Sequence, residues 1–538
     1  MKPLPPELWI LIAEQLPPDD LLKLIGVNRL FFNLIMNELY GQLSFITADP
    51  HVFLENDDLI MCERVRVLTM WPSAVRDAVK AVDHEKNKIE QGPERPQSPL
   101  SKPLPYLHKI GGMFKHTRSL SRPNITPPSA REQLPSPEDR LDMFLSVIRK
   151  LKNVDEFEIN WYLDHGPRAS AWHVSFFPEI WSSIGHNLRR LSIDIQVFKL
   201  NDVIKSCGSM PNMEELQLTL RCDSARPHPG DTVVPYFLNK FSPTLRALSI
   251  KTIGHQPLST NFLLLDYFPR LTKLSLIMPL DAKHLSDPSG LEQLLRNHPN
   301  LQDLCLRYSR CCIEPLEDGF KTLQGRHQIY SGIQLPGLRA LELGLHLPVP
   351  RGTDPMLDSI ARLGKDLTSL TLVDRSLTLD EVKVLLRLFP SYHLRRLSLF
   401  ARFLTPQLID VIAHSCPDLN SLALDVQAVV RSETEVGNSS VHDNIDDFTQ
   451  ALFNYAVDLD NGRWRYRVWT LADISVMKWE FKVGHTYSWP CMKAIAYVVP
   501  SIRSFAGQGH MREDNILPMP GTQRRLLDIG SRPKPFDT

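Results

Sequence analysis

LRRLSI (188–193), MEELQL (213–218), LRALSI (245–250), LTKLSL (271–276), LQDLCL (301–306), LRALEL (338–343), LTSLTL (367–372), LRRLSL (394–399) and LNSLAL (419–424) are one hexad written nine times, with start-to-start steps of 25 to 37 residues. Apolar side chains occupy its first, fourth and sixth positions. The last two alternate with period two, as a short strand with one buried face requires. Between copies lie amphipathic stretches such as LDEVKVLLRLF (379–389) and PQLIDVIAHSC (406–416), which read as helices. One strand and one helix cannot bury their own apolar faces, but stacked copies can. An ordinary doubly wound α/β domain also alternates strands and helices. It would not repeat one hexad so closely, and no glycine-rich phosphate loop follows any of these strands. The expected class is therefore α/β: a curved parallel sheet inside and helices outside. VDEFEI (154–159) reads as an earlier copy; VRVLTM (65–70) and IRSFAG (502–507) are weaker ones at the two ends.

Further features of the sequence bound the chemistry. Of the 538 residues, 43% are hydrophobic, enough for a large core, and 61 basic residues balance 61 acidic ones. A neutral chain has no bulk attraction for nucleic acid or an anionic membrane, and neither is an expected partner. The eight cysteines are scattered without a CxxC pair, which points to reduced thiols of the cytoplasm or nucleus. No apolar run approaches the ~20 residues of a membrane span, so the triplets at Asn124 and Asn438 are expected to carry no glycan. There is no GxSxG, HExxH, P-loop or dinucleotide fingerprint and no zinc spacing. His414 with Cys416, and the adjacent Cys311 and Cys312, read as packing residues. The expectation is a protein with no enzymatic activity, cofactor or metal.

The segment GRWRYRVWTLADISVMKWEF (462–481) alternates Trp464, Tyr466 and Trp469 with Arg463, Arg465 and Arg467. Such interleaving can stack on bases, but the same period suits an edge strand. A strand or cap closing the stack is the reading adopted.

Before the repeats, LPPELWILIAEQL (4–16) begins with prolines suited to a first helical turn and puts Leu8, Leu11, Ile12 and Leu16 on one face. PPDD (17–20) breaks the chain; Asp19 and Asp20 are expected to cap a second helix over 21–27, and Asn28 a third over 28–40. This segment resembles the F-box. Leu4, Pro5, Pro6, Glu7 and Leu8 match its Leu-Pro-x-Glu-Leu opening. Ile12 and Leu16 match the end of its first helix, Asp20, Leu21 and Leu22 its acidic-Leu-Leu step, and Val27, Asn28, Arg29 and Phe31 its close. Asn28 replaces the usual cysteine or serine, and no tryptophan ends the motif, a place Tyr40 or Phe45 can fill. HSCPDLNSLAL (414–424) is similar to the cysteine-containing repeat of F-box/leucine-rich-repeat proteins.

The resemblance implies a substrate receptor of an SCF-type ubiquitin ligase. Its F-box would bind a Skp-family adaptor, and through it a cullin–RING module, by way of Leu4, Pro5, Leu8, Ile12, Leu16, Leu21, Leu24 and Val27. The repeats would hold a protein substrate that the sequence does not name. A ligase-independent scaffold, a nucleic-acid-binding repeat protein, or helices that merely cap the first repeat are the alternatives. The expected organisation is an F-box over 1–45, a first strand and connector over 46–81, and a disordered Pro/Ser-rich insertion over 82–138. Ser98, Thr126 and Ser136 precede prolines in that insertion. The solenoid spans 139–426, a polar loop 427–447, C-terminal repeats or cap 448–515, and a tail 516–538. Within each hexad the fifth residue must face away from the core: Ser192, Gln217, Ser249, Ser275, Cys305, Glu342, Thr371, Ser398 and Ala423. Larger charged neighbours flank that row, and Arg190, Lys273, Arg307, Arg396 and Ser398 are the candidate substrate contacts.

Overall fold

A computed structural model describes residues 5–16, 18–55, 58–80, 135–162, 176–221, 232–253, 259–278, 289–308, 333–344, 366–389, 393–433, 445–458, 463–480 and 484–507, with the single residues 287, 360 and 363. The chain divides into two compact units, Met1–Asn187 and Leu188–Thr538.

The first unit opens with helices α1 (Pro6–Glu14), α2 (Pro18–Lys23) and α3 (Arg29–Tyr40). Strand β1 (Gln42–Phe45) follows, then α4 (His51–Glu55), α5 (Leu59–Cys62), β2 (Val67–Met70), α6 (Pro72–Lys80), α7 (Pro137–Lys150), β3 (Glu156–Trp161) and α8 (Phe177–Ile184). The three strands pair in parallel, Leu43 opposite Leu68 and Leu68 opposite Phe157. VRVLTM and VDEFEI are thus true copies of the hexad. So is YGQLSF (40–45), which the sequence reading did not recognise: Leu43 and Phe45 are buried in it. Phe45 therefore belongs to a repeat strand and to a ring cluster with Phe53 and Phe144, at centroid distances of 5.9 and 5.2 Å. It does not stand in for a tryptophan closing the N-terminal helices.

Two expected boundaries move. The second helix starts at Pro18, a first-turn proline, so Asp19 and Asp20 lie inside it. It stops at Lys23, after which Leu24 and Val27 make turn bonds to Leu21 and Leu24 carbonyls at 2.9 and 3.0 Å. The insertion expected over 82–138 falls mostly outside the described residues, but its last residues do not. Ser136 caps α7 in a reciprocal box with Asp139, and Pro137 is the first helical residue.

The second unit repeats strand and helix: β4 (Arg190–Gln196), α9 (Val197–Ile204), β5 (Glu215–Arg221), α10 (Val233–Asn239), β6 (Ala247–Ile253), α11 (Ser259–Leu263), β7 (Lys273–Met278) and α12 (Ser289–Asn297). Then come β8 (Asp303–Tyr308), β9 (Ala340–Gly344), β10 (Ser369–Leu377), α13 (Leu379–Arg387), β11 (Arg396–Leu404), α14 (Pro406–Ser415) and β12 (Ser421–Val429). Neighbouring strands from β4 to β12 are parallel and in one register, Leu191 opposite Leu216, Leu248, Leu274 and so on to Leu422. The fourth and sixth hexad residues in all nine copies are at most 4% exposed. The nine hexads thus form the parallel sheet of a leucine-rich-repeat solenoid, with burying one such leucine worth about 1.5–3 kcal/mol. Thr378 and Thr405 cap α13 and α14 by accepting from Glu381 and Leu408 amides.

A tenth copy completes this sheet. After α15 (Ile445–Ala456) and a small antiparallel pair, β13 (Val457–Asp458) and β14 (Arg463–Trp464), LADISV (471–476) supplies β15 (Asp473–Glu480), parallel to β12 with Leu422 opposite Ile474. β16 (Gly484–Tyr487) folds back antiparallel on β15. α16 (Trp489–Val498) leads to β17 (Ser504–Phe505), which pairs with the start of β15 and makes IRSFAG the last, shortened copy.

One buried ring links this packing to pH. His298, 3% exposed, donates from Nδ1 to the Leu294 carbonyl at 2.6 Å and accepts the Phe268 amide at Nε2 at 2.9 Å. A second ring proton would point at the Phe268 N–H. Burial lowers the His298 pKa, against a smaller opposing pull from the Leu294 carbonyl. The unfolded chain, with histidine near the usual ~6.5, then binds more protons than the folded one. Stability from this group is full above that value and is lost as pH falls toward the lower folded pKa. The melting temperature should drop between pH 7 and pH 5 more steeply for the wild type than for His298→Gln, whose amide oxygen can still accept the Phe268 amide. Equal slopes would show that His298 does not contribute.

Candidate functional site

The N-terminal helices build their own small core. Ala13, Phe31 and Ile35 are buried, and Trp9, Leu21, Leu22, Leu24, Leu34 and Leu39 pack on them. The Trp9 and Phe31 rings meet edge to face at 5.6 Å. Asn28 fixes the entry to α3 by accepting the Phe31 amide at 2.9 Å. Arg64, just before β2, holds the far end of α3: its guanidinium donates to Asn37 and Asn33 at 2.7 and 3.2 Å and lies 6.0 Å from the Phe32 ring centre.

That core leaves an apolar surface outside. Leu8 (45% exposed), Leu11 (57%), Ile12 (42%), Ile25 (38%), Val27 (61%) and Phe32 (42%) are open to solvent. The face predicted to be apolar on α1 is therefore its outer face. Exposed apolar side chains grouped on one small element make it a candidate partner surface. Of the residues expected to dock a partner, Pro5, Leu8, Ile12 and Val27 are exposed and Leu16 is half-buried. Leu21 and Leu24 are half-buried as well and pack against the Ala13, Phe31 and Ile35 core, so they support the surface from within. Leu4 lies outside the described residues. Phe32 was missed because Phe31 and Phe32 are adjacent: pattern alone does not say which ring turns inward.

The sheet of the second unit offers the other candidate surface, the face away from its helices. As the period demands, the fifth hexad residues are half-buried or exposed there, Ser192 level with Gln217, Ser249, Ser275, Cys305, Glu342, Thr371, Ser398 and Ala423. The flanking charges are not all free. Arg190 meets Glu215 at 3.8 Å, Lys273 meets Asp303 at 3.3 Å and Arg307 meets Glu342 at 3.3 Å, each on the next strand. Arg221 forks onto both Asp194 oxygens at 2.6 and 2.8 Å. Arg396 differs: Ser369 and Ser421 lie level with it on either side.

Cys305, Cys416, Tyr466 and Trp469 take part in packing. Cys305 is pushed up to about 11 mainly by burial, and Cys416 likewise to about 11 by burial, so neither is a ready thiolate. The Cys416 carbonyl accepts the Trp469 indole N–H at 3.0 Å, and the Tyr466 hydroxyl donates to Asp410 at 3.2 Å. Both rings are buried. Burial first, then Asp410, drives the Tyr466 pKa upward. The period-two aromatics thus form a two-residue strand and a turn sealing α14, and two of the three rings are unavailable for stacking on bases. Cys311 and Cys312 lie outside the described residues. Among those described, no helix is long and apolar enough to cross a membrane.

No family model matches the chain, and no curated protein sequence does. Solved structures that resemble it include the TLR13–ssRNA13 complex, at 14% identity and a TM-score of 0.31, covering 67% of this chain and 43% of that one. Another is the leucine-rich repeat-containing protein LegL7 of Legionella pneumophila, at 12% identity and a TM-score of 0.27, covering 67% and 88%. The chain thus spans less than half the length of the first of these.

Phe31→Ala should cost the helical head about 3–5 kcal/mol, whereas Val27→Asp should change its stability by no more than about 0.5 kcal/mol. Hydrogen exchange of the 6–40 amides reads the difference; equal loss of protection in both variants would place Val27 in the core.

Proposed function

We propose that this protein is the substrate-recognition subunit of an SCF-type ubiquitin ligase, with residues 5–40 binding a Skp-family adaptor and the repeats holding a protein substrate. The observation that carries the reading is the outer apolar surface of the helical head. Three short helices spend Trp9, Ala13, Phe31 and Ile35 on their own core and still leave Leu8, Leu11, Ile12, Val27 and Phe32 in water. Leaving so much apolar surface uncovered is costly unless a partner covers it. The resemblance of the same segment to the F-box supports a Skp-family adaptor as that partner. A repeat sheet with an open polar face supplies a platform for protein binding. On this reading the chain contributes no catalytic group. Ubiquitin transfer belongs to the cullin–RING module, and the protein works in the cytoplasm or the nucleus.

The test is co-purification with a Skp-family adaptor and a cullin. Ile12→Asp with Val27→Asp introduces charge where both side chains are exposed, so the fold should survive. Burying an apolar side chain of this size against a partner is worth about 1.5–3 kcal/mol, so replacing two of them with carboxylates should abolish capture. Wild-type protein that fails to retain the adaptor, or a double variant that retains it fully, would overturn the proposal.

A further inference from the structure

The outward side chains of β11 read Arg396, Ser398, Phe400 and Arg402, with both arginines exposed and Ser398 and Phe400 half-buried. Four other cations of this sheet, Arg190, Arg221, Lys273 and Arg307, each meet an acid on a neighbouring strand. Arg396 and Arg402 make no ion pair among the described residues. Arg396 sits between Ser369 and Ser421, whose short side chains leave its guanidinium open above the sheet. Arg402 lies over the Phe403 ring at 5.1 Å, and the register that sets Ala401 opposite Val426 and Phe403 opposite Ala428 places Gln427 beside it. Of the acids near this strand, one sits at another level and one shares the level of Arg396 but lies beyond Ser421. Asp425 is opposite Phe400, and Asp473, one strand further, accepts from Ser421 at 3.3 Å and from Gly507 at 2.9 Å. Glu433 feels the Arg402 charge only at longer range. The level between the arginines is also the more apolar one, with Phe400 and, beyond Asp425, Met477 half-buried.

We infer that β11 is the centre of the partner-binding face and that its occupant is an extended acidic peptide, with carboxylates on Arg396 and Arg402 and apolar side chains against Phe400. The spacing fits an extended chain. Arg396 and Arg402 are six strand residues apart, about 20 Å at ~3.3 Å per residue, so a peptide lying along β11 presents same-face side chains at every second position. Planar guanidinium forks suit carboxylates. Phe400 and Met477 suit the middle level to apolar side chains. The paired cations of β4 to β9 are already neutralised and have little to offer such a peptide. This sharpens the receptor reading, on which its biological sense rests, by giving a class of substrate segment and moving recognition from Lys273 and Arg307 to Arg396 and Arg402.

The probe is a fluorescein-labelled, C-terminally amidated peptide Asp-Ser-Leu-Ser-Leu-Ser-Asp, which presents the same face in either direction. Its binding to the full chain is read by fluorescence polarisation with no adaptor present, so the outcome is independent of the ligase reading. Wild-type protein should bind it and lose binding as salt rises. Arg396→Gln with Arg402→Gln should weaken binding about tenfold or more, as should Phe400→Ser or replacing both peptide aspartates by lysine. Lys273→Gln with Arg307→Gln should stay within about twofold, and thermal melts should be alike for all variants because the altered side chains are exposed or half-exposed. No binding by the wild type, salt-independent binding, an equal loss in the Lys273 and Arg307 variant, or tighter binding of heptathymidylate than of the peptide would each overturn the inference.

Discussion

One carbonyl per repeat holds the sheets together. The oxygen of the second hexad residue accepts two successive amides from the next repeat. Arg189 receives Glu214 and Glu215, Thr272 receives Gln302 and Asp303, and Arg395 receives Asn420 and Ser421, all at 2.8–3.0 Å. The pattern recurs at Gly41 and Arg66 in the first unit and at Asn420 and Ala472 near the end of the second. It satisfies backbone groups on the turn into each strand, where the first hexad residue dives into the core and water is excluded. It also sets the register. Once the second residues are tied, the fourth and sixth of every copy must fall in line, and a slip by one would turn each leucine toward solvent.

The same constraint explains the two characters of the open face. Register places chemically unrelated side chains level with one another, and opposite charges that land side by side pair across strands. Arg190 with Glu215 and Lys273 with Asp303 are such pairs, exposed and so worth only about 0–1 kcal/mol each. Their consequence is electrostatic more than stabilising: Arg190, Arg221, Lys273 and Arg307 each carry a paired charge there. Around β11 the level neighbours are Ser369 and Ser421 beside Arg396 and Gln427 beside Arg402, so neither arginine has an acid directly alongside.

The helical head obeys a different economy. Too small to bury all its apolar residues, it turns Trp9, Ala13 and Phe31 inward and leaves Ile12 and Val27 outside. Arg64 then joins it to the first strand through Asn33 and Asn37. The apolar outer face is thereby carried on an element fixed to the start of the repeats within the same unit.

The repeat itself was written in the sequence, because period-two burial at a recurring hexad leaves a pattern that survives without any contact information. Nine copies, their strands and the outward row from Ser192 to Ala423 followed from it, and the Asn28 cap was legible from its residue type alone; the Thr378 and Thr405 caps came from the structure. Two copies escaped, for different reasons. LADISV begins 52 residues after LNSLAL, across a polar stretch, and YGQLSF lay hidden in a segment that also matched another motif. Tertiary structure alone decided which of two adjacent aromatics faces in, that Leu21 and Leu24 pack on the head's own core, and that Tyr466 and Trp469 are sealed against α14. It alone separated Arg396 from Lys273 and Arg307. A side chain's direction follows from its own strand, but its free charge depends on what the next strand sets beside it, and that neighbour lies some thirty residues away in the chain.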